Sequence, residues 1–137
     1  MKKQIEVIKE KRGKIIAIII YSSFKKNGTN FFTPYDFSQQ LAFISRPKGS
    51  TIESHTHRVV KRHVKLTQET LFVKKGKVKV NLYDHKKKYL DSRILKTGDI
   101  ILLASGGHGF EFLDNSEIIE VKQGPYTSDK DKMIFTP

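Results

Sequence analysis

The chain has 137 residues, 37% of them hydrophobic, which suits one domain with one modest core and leaves no room for a second. It contains no Cys, which excludes disulfides and Cys-ligated metal, so any bound ion must take His and carboxylate ligands. The formal net charge is +12, but Lys outnumbers Arg by 21 to 5, whereas sequence-specific nucleic-acid readers lean on arginine forks; lysine spread over solvent faces, weakly attracting anions, is the expectation.

Residues 4–9 (QIEVIK) alternate and predict a short edge strand, with Gly13 in the turn after it. Residues 15–20 (IIAIII) are apolar on both faces, as in a buried strand or one at a subunit interface. That run is too short for a bilayer, which takes about 20 apolar residues. Glu6 and Glu10 precede it and no small-x-small cleavage pattern follows, so it is no signal peptide. A cytoplasmic protein without membrane association is expected.

Residues 25–30 (KKNGTN) read as a turn on Asn27-Gly28. Residues 31–36 contain Pro34 and read as irregular. Residues 37–45 predict a strand, or one helical turn followed by a strand. Residues 51–57 alternate, with Glu53, His55 and His57 on one face. Residues 58–65 are very basic and break the pattern.

Strands are then predicted at 69–73 and 77–84, the latter with Val78, Val80 and Leu82 inward. A return strand at 89–95 follows a charged loop, then strands at 100–104, 108–113 and 117–123. The polar tail ends with Ile134-Phe135, which docks back. About ten short strands, frequent turn signals and no long helical period predict an all-β sandwich or closed barrel.

Two positions apart on a strand, His55 and His57 point the same way, about 7 Å apart at Cα. Such a pair grips one divalent ion, and a carboxylate such as Glu69 completes a mixed shell suited to Fe, Mn, Ni or Zn. His108, on a remote strand, supplies a third imidazole.

Gly49, His55-x-His57, Glu69 and Gly76, followed by Gly98 and His108, resemble the two motifs of the cupin superfamily over roughly residues 45–123. The resemblance implies a double-stranded β-helix, or jelly roll, with its barrel at about 37–123 and strands in 4–21 as an extension and dimer arm. It also implies a metal held by His55, His57, Glu69 and His108. Eleven residues separate His57 from Glu69, where that family has a short link. Gln68 or His63 therefore stands as an alternative inward group. Ala104 occupies the second motif's usual proline position.

The functional expectation is a small metal-binding cupin acting on a small polar substrate as an isomerase, epimerase or dioxygenase. The alternatives are a metal-independent nucleotide-sugar isomerase or epimerase, with His55 or His57 as base, and a non-catalytic small-ligand module. Gln39, Tyr83, Phe110 and Phe112 are candidates for the mouth, and Arg46 or Arg93 for an anion clamp. A homodimer is expected through residues 14–21, with no specific nucleic-acid partner.

Overall fold

The computed structural model describes residues 3–128 and 130–137. Ten strands run through it, every pairing is antiparallel, and no helix occurs among the described residues. They are β1 (Ile5–Lys9), β2 (Ile15–Ile20), β3 (Gly28–Phe31), β4 (Ala42–Ser45), β5 (Glu69–Lys75), β6 (Lys77–Tyr83), β7 (Tyr89–Lys96), β8 (Ile100–Leu103), β9 (Gly107–Phe112) and β10 (Glu117–Lys122). Among the described residues no helix is long and apolar enough to cross a membrane.

The strands form a five-stranded sheet in the order β1-β2-β8-β5-β10, a three-stranded sheet in the order β7-β6-β9, and a β3-β4 ribbon. Alternation decides which side chains meet between the two larger sheets. Val78, Val80 and Leu82 of β6 are buried there against Leu71 and Val73 of β5, Ile101 and Leu103 of β8, and Ala17 and Ile19 of β2. Ile18 and Leu102 point to the other face of the large sheet, where Phe32, Phe37 and Leu41 cover them. The central strands β2 and β8 are thus buried on both faces, which is why they read as unbroken apolar runs.

One flank of this sandwich is closed. Arg93 of β7 forks onto Glu6 of β1, with Nη2 at 2.7 Å and Nε at 2.9 Å, and the Tyr21 hydroxyl donates to the same carboxylate at 2.7 Å. Arg93 also pairs with Asp91 at 2.8 Å, so it is not the free anion clamp expected of it. The opposite flank ends in β9 and β10, the outermost strands of their sheets, which follow one another through the turn at 113–116.

Two expectations are corrected. Residues 51–57 alternate but form no strand, because no neighbour supplies the hydrogen bonds that a strand needs. Residues 37–41 are held as loop instead of strand by the Gln40 amide, which donates to the carbonyls of Pro34 and Phe37, both at 2.9 Å. Residues 15–20 form the buried strand that their sequence allowed: β2 lies between β1 and β8 and is covered on both faces by this chain itself.

Candidate functional site

Glu69 opens β5 and His108 lies near the start of β9, in different sheets. The pairing of Glu69 with Leu103, and the burial of Leu71 two residues on, put the Glu69 side chain on the inner face. His108 pairs with Leu82, itself an inward residue, and so faces Glu69 across the gap. His108 Nε2 lies 3.6 Å from Glu69 Oε2. The Phe110 ring stands 5.5 Å from the imidazole on the same strand.

A third group belongs to this mouth. Glu120 pairs with Leu71 and therefore shares the inner face with Glu69. Burial, and then a hydrogen bond with Glu120, push the Glu69 carboxyl up to about 7 from an ordinary 4.5. Near neutral pH the Glu69 carboxyl therefore still holds its proton much of the time. Burial lowers the His108 pKa from its usual 6.5, keeping the imidazole neutral at pH 7. Sequence reasoning missed Glu120, although its place two residues from Ile118, on the same face of the strand, was the available signal.

The C-terminal tail crosses the mouth. The Thr67 hydroxyl donates to Asp131 at 2.9 Å. Asp131 acts on the Glu69 charge and Lys132 on that of His108. Phe135 packs edge-on against Tyr83 at 5.1 Å. A cleft of about 160 Å³ adjoins this region, lined by Val64, Leu66, Thr67, Gln123, Pro125 and Asp131. A larger one, about 360 Å³, lies far off beside Tyr21, Ile94 and Asp99. Neither is lined by Glu69 or His108.

Of the four expected metal ligands, Glu69 and His108 meet. His55 and His57 lie on the exposed segment 46–67 with their rings 5.2 Å apart, and His55 Nδ1 is 2.7 Å from the carbonyl of Glu53. Among the described residues, no group of three or more His, Asp and Glu side chains is arranged to hold an ion.

Gln68 does not take the inward place. Its side-chain oxygen accepts from Ser38 Oγ at 3.1 Å and from the Gln39 backbone N–H at 3.0 Å. Gln39 is spent on Thr70 and the Val121 carbonyl, outside the mouth. His63 is exposed, as is Arg46, which donates to Thr29. Tyr83 is buried beneath Phe135, and Phe112 is 62% exposed. Compared with known proteins, the chain matches no family model, no curated protein and no solved structure.

Proposed function

We propose that the mouth framed by β5, β9 and β10 transfers protons on a small polar substrate, within a jelly-roll scaffold of the cupin kind. The observation that carries this reading is the meeting of Glu69 and His108 across two sheets, with Glu120 beside them. The scaffold reading is supported by the strand orders β8-β5-β10 and β7-β6-β9, hinged at Gly76. A jelly roll has about eight strands in two such sheets, and the two wanting here would lie outside β9 and β10.

The chemistry follows from the protonation states. The neutral His108 imidazole takes a proton from a substrate carbon or hydroxyl, while the Glu69 carboxyl returns one to the neighbouring position. Transfer between His108 and Glu69, 3.6 Å apart, then resets both groups. Isomerisation and epimerisation need no more than this. Lys122, paired with Glu69 along the strands, and Lys132 near His108 suit an anionic substrate such as a nucleotide sugar. The test is incubation in D₂O with a panel of nucleoside-diphosphate sugars, read by mass spectrometry. Deuterium uptake by one of them, lost in His108→Ala and Glu69→Ala, is expected. No uptake across the panel refutes the reading.

A divalent transition metal (Fe, Mn, Ni or Zn) is a second reading, favoured only by the close His55 and His57 rings. The residues gathered within one chain do not fit an ion, so no step is routed through one. Equilibrium dialysis against Mn²⁺, Ni²⁺ and Zn²⁺ tests it, with binding expected to disappear in the His55→Ala, His57→Ala double variant.

A further inference from the structure

Residues 46–67 are exposed without exception and belong to no strand. So long a structureless connection is uncommon inside a compact domain. The hydrogen bonds found within it among the described residues are local, such as Ser50 N–H to the Pro47 carbonyl. Its ends are fastened to the body: Arg46 donates to Thr29, and the Gln68 N–H donates to Gln123. Yet it carries five large apolar side chains into water, with Ile52, Val60 and Leu66 more than half exposed and Val59 fully so. Exposed single apolar residues are ordinary, but five on one unpaired segment are not.

The body has a matching want. β9 and β10 are open edges, one in each sheet, on the same flank. Phe112, Leu113, Ile119 and Val121 are exposed along them. Open apolar edges pair with another chain unless something covers them. The charges are complementary as well: Arg58, Lys61, Arg62 and Lys65 lie on the segment, and the edges carry Glu111 and Glu117, each held only by a loose, exposed pair with Lys79 at 3.8 Å and Lys74 at 3.9 Å. β9 and β10 are six residues each, so two strands and a turn drawn from 22 residues suffice to cover both.

We propose that residues 46–67 form an arm that two copies of this chain exchange, each arm adding strands to the β9 and β10 edges of the other copy. The occupant is a second copy because the arm leaves its own body between two fastened ends and makes no hydrogen bond to its own β9 or β10 among the described residues. A reciprocal exchange is two-fold symmetric and closes on itself, so it stops at a dimer. It also carries His55 and His57 of one copy to the mouth of the other, since His108 sits on the edge strand that receives the arm. The inference does not depend on the proton-transfer reading.

Light scattering of the full chain is expected to give twice the 15.8 kDa monomer mass, falling to the monomer when residues 50–65 are replaced by a short Gly-Ser linker. Hydrogen exchange of the unaltered chain is a second readout that needs no variant. Amides of β9 and β10 are expected to be protected when concentrated and to lose protection on dilution. A monomer at high concentration overturns the proposal, as does a dimer that survives loss of the arm. Edge protection independent of concentration also overturns it, because the arm then closes on its own chain.

Discussion

Glu69 and Glu6 bracket the electrostatics of this chain with shifts of opposite sign. Glu69 keeps its proton to about pH 7 when folded but only to 4.5 when unfolded. The stability it contributes is therefore full below the unfolded value and lost as pH rises through about 7. Glu69→Gln removes that loss. Thermal melts near pH 8 should show the variant more stable by about 2 kcal/mol, and melts near pH 4 should show no difference. Its raised pKa also shapes the proposed chemistry, which needs neutral His108 and a protonated carboxyl together. Deuterium uptake against pH should be bell-shaped, with its alkaline limb near pH 7 and its acid limb below 6.5. Glu6 behaves in reverse. The Arg93 fork holds its pKa down to about 2, so its contribution is present above 4.5 and fades as pH falls toward 2. Arg93→Ala should cost about 2 kcal/mol at neutral pH and progressively less in acid, measured by denaturant melts across that range.

At the scale of elements, β6 was the most legible stretch. Its period-two pattern named Val78, Val80 and Leu82 as inward, and all three are buried. Leu82→Ala should cost about 3 kcal/mol in urea denaturation, since the side chain is fully enclosed. Gly76 was legible as a turn for a definite reason. Its φ is +112°, and a Cβ there would come within 2.7 Å of the Ser116 backbone. Residues 51–57 show the limit of the same reasoning. Alternation tells which side chains share a face, but a strand also needs a partner, and sequence spacing does not name one. The site was half legible for a related cause. The resemblance picked out Glu69 and His108, which do meet, whereas Glu120 sat unnoticed on an ordinary amphipathic strand.

Across the whole molecule, the charge of +12 is carried mainly by lysines spread along the chain. Lys74 pairs with Glu117 at 3.9 Å and Lys79 with Glu111 at 3.8 Å, along the flank that bears the open edges. Exposed pairs of this kind are worth little to stability. They do soften the lysine field, and among the described residues no helix is available for a nucleic-acid groove. Gel-shift assays should show DNA binding that ignores sequence and disappears at moderate salt.

Phe135 against Tyr83, with the Lys87 ammonium 5.9 Å from its ring, has a practical sequel at the bench. An affinity handle joined after Pro137 begins with only two residues between it and that aromatic lock, on the same stretch that crosses Glu69 and His108. Bulk there pulls on the Phe135–Tyr83 contact. Two preparations differing only in which end is tagged should therefore admit small solutes to the carboxyl–imidazole pair at different rates.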